Sequence, residues 1–147
     1  MKAVNYASRK GVICVAAVGN NSQDALVYPA AFGNVIGVGS INTQNQLSSF
    51  SNYGSDMVTI AAPGEALVTT YPGNHYAAAW GTSFSAALVS GSVDVLMQSA
   101  HANISSQLLE ADYARALRST ACTTSGNVGA GCTDLNQALK FMQSMKF

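Results

Sequence analysis

Charge is scarce in this chain. Charged residues make up 10% of its 147 positions, against about 25% in a typical globular chain. An excess of one sign is missing too, because seven Lys plus Arg balance seven Asp plus Glu. That balance excludes a nucleic-acid partner bound through a basic field. Low charge beside 48% hydrophobic residues excludes a disordered polyelectrolyte. Long apolar runs are absent. No window reaches the roughly 18 uninterrupted apolar residues of a spanning helix, so no membrane partner is expected. Cysteines number three, and neither a His nor a third Cys lies near Cys122 and Cys132. That argues against zinc there. No strand-like run leads into a glycine-rich phosphate loop, which weakens any nucleotide-binding assignment.

Small residues are what the chain has in quantity. Alanine numbers 23, serine 17 and glycine 13. Such a composition packs elements closely and leaves little charged surface. It suits the central layer of a larger α/β body. The length by itself suggests one domain.

Lys2, Arg9 and Lys10 precede the apolar run Gly11 to Gly19. For a signal peptide the basic region is long and the apolar run short. A buried strand fits better. Val12 to Val18, Asn34 to Ile41 and Met57 to Ala62 predict three buried strands. Leu67 to Tyr71 predicts a short fourth, closed by Pro72-Gly73. Thr82 to about His101 predicts a helix, with Phe84, Leu88 and Val95 on its buried face. Ser90, Asp94, Gln98 and His101 form its polar stripe. Ser105 to Ala121 predicts a second helix capped by Ser105 or Ser106. Leu135 to Met145 predicts a third, capped by Asp134. Strands alternating with loops, followed by helices, predict an α/β fold with a mostly parallel sheet flanked by helices. Reactive groups in such sheets collect at the carboxyl ends of the strands.

Cys14 sits in the apolar run and reads as a buried thiol. Cys122 and Cys132 flank the loop Thr123 to Gly131. In an oxidising compartment they would pair, and elsewhere they would stay reduced.

Two segments carry chemistry. In Gly81-Thr82-Ser83-Phe84 a serine falls in the first turn of a long helix. Its hydroxyl can project, and its backbone N–H is an unpaired donor able to bind an oxyanion. The same residues also suit an ordinary helix start, where Ser and Thr are common caps. In Ala16-Ala17-Val18-Gly19-Asn20 a carboxamide follows a strand directly. It can donate to an oxyanion, or simply serve the turn.

The order of these segments resembles the C-terminal half of a subtilisin-like serine peptidase (subtilase) catalytic domain. The resemblance is carried by GVICVAAVGNN (11–21), YPAAFGNVIGVGSI (28–41), LSSFSNYG (47–54), IAAPG (60–64) and GTSFSAALVSG (81–91). GAGCTDLNQAL (129–139) matches less sharply. The resemblance implies a subtilisin-like but incomplete α/β domain over 1–147. It aligns Ser83 with the nucleophile and Asn20 with the side-chain oxyanion donor. Ala17, Val18 and Gly19 fall on the wall of the primary specificity pocket. Gly81 and Thr82 fall on the substrate-facing turn. Val27 falls near the pocket floor, where a branched side chain favours small substrate residues.

The departures matter as much. The family's catalytic Asp and His lie N-terminal to the matched segments, so both are expected outside this chain. His75 and His101 are poor substitutes, for neither has the family's His-Gly-Thr context. His101 is 18 residues beyond Ser83 on one helix, about 27 Å away at 1.5 Å per residue. A serine without a base is a weak nucleophile. The implied function is therefore serine endopeptidase chemistry on protein or peptide substrates, completed by a separate segment carrying Asp and His. The alternative is an inactive pseudopeptidase or interaction module. No cofactor is assigned. Some family members bind calcium, and carbonyls of Ala30, Phe32 and Val35 with Asp56 are the positions to inspect, although hard cations usually need more carboxylates. The resemblance implies export for the full-length protein. Asn20 and Asn103 match the N-x-S pattern without a known host compartment.

Overall fold

The computed structural model describes residues 1–101 and 110–144. The element order is α1 (Lys2–Arg9), β1 (Val15–Ala17), β2 (Ile36–Ile41), β3 (Ile60–Pro63), β4 (Leu67–Tyr71), β5 (His75–Ala79), α2 (Thr82–His101), α3 (Glu110–Ser119) and α4 (Leu135–Ser144). Strands β1, β2 and β3 form a parallel sheet in that order. Parallel pairing brings three carboxyl ends to one side. Asn20, Asn42 and Gly64 therefore all begin loops on the same rim.

All six residues of β2 are buried, as befits the middle strand of a covered parallel sheet. Its two faces differ. Ile36 and Val38 join Ile60 and Ala62 of β3 beneath Val89, Val93 and Leu96 of α2. Tyr113, Ala114 and Leu117 of α3 and Ala138 and Met142 of α4 close the same core. The opposite face is thinned by glycine. A Cβ at Gly37 would collide with the Met57 carbonyl. This close approach lets Val18, Ala30, Met57 and Val58 form a second small core. The high content of small residues is thus used where loops lie flat on the sheet.

Beyond β3 the sheet edge is covered. Ala61 donates to Gly131 at 2.8 Å and accepts from Thr133 at 2.8 Å. Beyond β1 there is no strand partner among the described residues. Val15, Ala16 and Ala17 are only half-buried. A groove of about 710 Å³ runs between this edge, Val12 and Cys14 on one side and Val93 and Met97 of α2 on the other.

Four expectations need correction. The strand expected at Val12 to Val18 contracts to three residues, and Val12 is 53% exposed. Leu67 to Tyr71 does not extend the parallel sheet. It pairs antiparallel with His75–Ala79 across the Pro72-Gly73-Asn74 turn. The small Ala77-Ala78-Ala79 run hid that second strand, since alanine favours neither strand nor alternation. The buried face of α2 is Ser85, Val89, Val93 and Leu96, while Leu88 and Val95 are 46% and 41% exposed. Finally, the strand expected at Met57 to Ala62 shortens to Ile60–Pro63, and Lys2–Arg9, ahead of the apolar run, is a helix with no buried residue.

The helix expected from Ser105 begins, among the described residues, at Glu110. Its proposed caps Ser105 and Ser106, the Asn103 motif and the His101 side chain lie outside the described set. Asp134 does cap α4, its Oδ1 accepting the Gln137 N–H at 2.9 Å. Cys122 and Cys132 are disulfide-bonded across an antiparallel bridge, and Cys14 is free and half-buried.

Candidate active site

Asn20 and Ser83 arrive from opposite ends of the molecule's logic: one follows the edge strand, the other opens the long helix. Thr82 joins them. Its backbone N–H donates to Asn20 Oδ1 at 2.9 Å, and its hydroxyl donates to the same oxygen at 2.8 Å. Thr82 Oγ1 in turn accepts the Gly19 N–H at 3.2 Å. A backbone N–H can only donate, so the atom facing Thr82 must be the carboxamide oxygen. Nδ2 is thereby turned the other way, toward Gly81. A Cβ on Gly81 would lie 3.4 Å from it. Among the described residues Nδ2 donates to no protein group.

Ser83 is exposed, and Thr82 beside it is fully buried. The second position of α2 leaves the Ser83 N–H among the unpaired donors of a helix start. The helix start itself is fixed from below. Gly81 donates to the Gly64 carbonyl at 2.9 Å, and Ser85 Oγ donates to the Pro63 carbonyl at 3.1 Å. Gly64 has no room for a side chain, being wedged against Ser40, Ser85 and the Gly81 carbonyl. Positive φ of 144° at Gly81 sets the turn into the helix, a conformation costly for any other residue.

The remaining positions fall as follows. Ala17 and Gly19 are half-buried and Val18 is buried. Val27 is half-buried against the Val18, Ala30, Met57 and Val58 cluster. Trp80 is 56% exposed, three residues before Ser83. His75 stands at the far end of β5, four strand steps from Ala79, about 14 Å along the strand. Its ring folds back over the hairpin turn, where a Cβ on Gly73 would meet Cδ2 at 3.2 Å.

The loop carbonyls inspected for calcium border one recess of about 270 Å³. It holds one carboxylate, Asp56, and one cation, Arg118. The Phe32 carbonyl already accepts the Val35 N–H at 3.0 Å. Calcium takes about six to eight oxygen ligands. No group of three His, Cys, Asp or Glu occurs among the described residues. The recess offers one carboxylate beside the loop carbonyls, and no step is routed through a metal.

One residue had no role assigned from the sequence. Asn52, inside LSSFSNYG, is buried and bonds to the loop that carries Asn20.

The subtilase family's sequence model matches residues 1–143. The chain belongs to the subtilase family. It is 44% identical over 102 residues to the thermophilic serine proteinase of Bacillus sp. (strain AK1), covering 69% of this chain and 25% of that protein. It is 45% identical over 95 residues to thermitase of Thermoactinomyces vulgaris, covering 65% and 34%. Among solved structures, the self-cleaved protease domain of PatA superposes with a TM-score of 0.88 at 28% identity, covering 99% of this chain and 56% of that one. The subtilase thus spans about a quarter to a third of those two relatives' length and about half of that solved domain. Its parallel sheet and helices are those of a subtilisin-like protease domain.

Proposed function

We propose that this subtilase chain is the nucleophile-bearing part of a serine endopeptidase acting on protein or peptide substrates. The observation that carries it is the Thr82 bridge, which ties the Asn20 carboxamide to the Ser83 turn. In this reading Ser83 Oγ attacks the substrate carbonyl. The developing oxyanion takes hydrogen bonds from Asn20 Nδ2 and the Ser83 N–H. Ala17 and Gly19, both half-buried, face the pocket for the substrate side chain, whereas Val18 and Thr82, each 0% exposed, and the buried Gly81 back that wall without reaching a substrate. Val27 narrows that pocket and favours small side chains. In subtilisin, the relative in which it was measured, loss of one side-chain donor lowers turnover about 10²–10³-fold.

The Ser83 proton still needs an acceptor within hydrogen-bond reach. His75 is turned away over Gly73, and His101 lies some 18 positions along α2. The base and its orienting carboxylate therefore come from a separate N-terminal segment. Without it the chain has negligible peptidase activity, since the oxyanion hole alone supplies only residual rate. The second reading is a catalytically inactive pseudopeptidase or interaction module.

A fluorophosphonate probe separates the two. The chain alone should remain unlabelled over hours. Co-expression with the polypeptide encoded directly upstream should give stoichiometric labelling, abolished by Ser83→Ala. Rapid labelling of the chain alone would overturn the dependence. No labelling in either case would favour the non-catalytic module. Export of the full-length protein is supported by the Cys122–Cys132 disulfide. A relative that is 34% identical is, however, the major intracellular serine protease of Bacillus subtilis. Fractionation of the native host decides between them.

A further inference from the structure

Asn52 lies 1% exposed, 32 residues beyond Asn20 in the chain. Its side chain makes three hydrogen bonds. Nδ2 donates to the Val18 carbonyl at 2.9 Å. Oδ1 accepts the Asn21 N–H at 3.0 Å and the Gln23 N–H at 3.1 Å. The Asn52 backbone N–H donates to the Gly19 carbonyl at 2.9 Å. These four bonds take the backbone on both sides of Asn20 and leave the Asn20 side chain to project.

Residue type is tightly specified here. The site needs a donor and an acceptor on one short planar group, which only a carboxamide offers. Glutamine is one methylene too long for the space. A Cβ on Gly19 would already stand 2.7 Å from Asn52 Nδ2. Gly19 itself sits at φ 103°, a conformation open to glycine and costly for any residue with a side chain.

We propose that Asn52 is a positioning residue, holding the Val18–Gln23 turn so that the Asn20 carboxamide presents Nδ2 beside Gly81. Thr82 grips the carboxamide oxygen from the helix side. Asn52 grips the backbone beneath it from the sheet side. Either grip alone leaves one rotation free, and a misplacement of about 1 Å in such a donor can cost about 100-fold in rate. The proposal rests on Asn20 being the oxyanion donor.

Nuclear magnetic resonance on the ¹⁵N-labelled chain tests it directly. In the native chain the Asn21 and Gln23 amides should exchange slowly. The Asn20 carboxamide protons should show an Overhauser contact to Gly81 Hα. In Asn52→Ala, exchange at both amides should rise at least about tenfold and the Gly81 contact should vanish, while Val38 and Gly39 in β2 keep their protection. Asn52→Asp keeps the acceptor, so Asn21 and Gln23 should stay protected even if the alanine variant folds poorly. An intact Gly81 contact in Asn52→Ala, beside a fast-exchanging loop, would overturn the proposal and leave Asn52 a loop fastener only. In the chain complemented for activity, Asn52→Ala should lower kcat about tenfold or more with KM within about twofold. Asn20→Ala is the control. If it leaves kcat intact, the oxyanion assignment fails, and the resonance experiment still judges Asn52.

Discussion

One hydroxyl at Thr82 both donates to Asn20 and accepts from Gly19. Thr82→Val keeps the shape and removes both bonds in a fully buried place. Leaving buried polar groups unpaired costs about 1–3 kcal/mol, so urea unfolding should show a loss of that size. Thr82→Ser, which keeps the hydroxyl, should lose less. Tyr113 on α3 makes a pH prediction. Burial, and then the nearby Asp112 carboxylate, push its phenol above the ordinary value of 10.0. The neutral phenol is favoured in the folded state. Its contribution is whole below about pH 10 and is lost as pH rises through the higher folded value. Chemical denaturation followed from pH 8 to 11 should show stability falling at the alkaline end, with a shallower fall in Tyr113→Phe. At this scale the sequence singles out Ser83 and Asn20 as candidates, because each lies within two residues of a glycine in a local motif. Asn52 stayed hidden, because its partners are 29 to 34 residues away and nothing local marks them.

Elements succeed or fail here by what lies underneath them. The start of α2 rests on Gly64, so Gly64→Ala forces backbone apart at the joint between β3 and the helix. Overpacking of this kind costs about 1–3 kcal/mol, and here the obstacles include the Gly81 carbonyl. A thermal scan should show a lowered midpoint, and the Asn20–Thr82 contact should loosen with it. The Cys122–Cys132 bond closes a loop of sequence separation 10. Loop-closure entropy makes its reduction worth about 3 kcal/mol, measurable by urea titration with and without reductant. The extent of α2 was legible because twenty residues without proline follow a glycine turn. Its orientation was not. Leu88 and Val95 are as apolar as Val89 and Val93, and only the sheet decides which pair turns inward. The hairpin was half visible, since its turn was plain and its alanine strand was not.

For the whole molecule, β1 has no strand partner on its outer edge among the described residues, and Leu88 and Val95 of α2 are exposed. Exposed strand edges and apolar patches promote association. The isolated chain should bind a hydrophobic dye and self-associate at micromolar concentration in light scattering. Leu88→Lys with Val95→Lys should reduce both without lowering the unfolding midpoint. Cys14 lines the groove beside β1, so its thiol should react freely in the chain alone and be protected if a partner covers that groove. A monodisperse chain with a protected Cys14 would count against an unfinished fold. The sequence expectation of an incomplete domain came from motif order, whereas the identity of the bare edge required the strand order.

Trp80 offers a last consequence. It is the chain's one tryptophan, more than half exposed and three residues ahead of Ser83. Nearly all long-wavelength emission of the protein therefore originates three residues from Ser83. The molecule carries its own optical probe. A molecule that covers Trp80 should register as a blue shift without any label, and the depth of burial can be followed by acrylamide quenching.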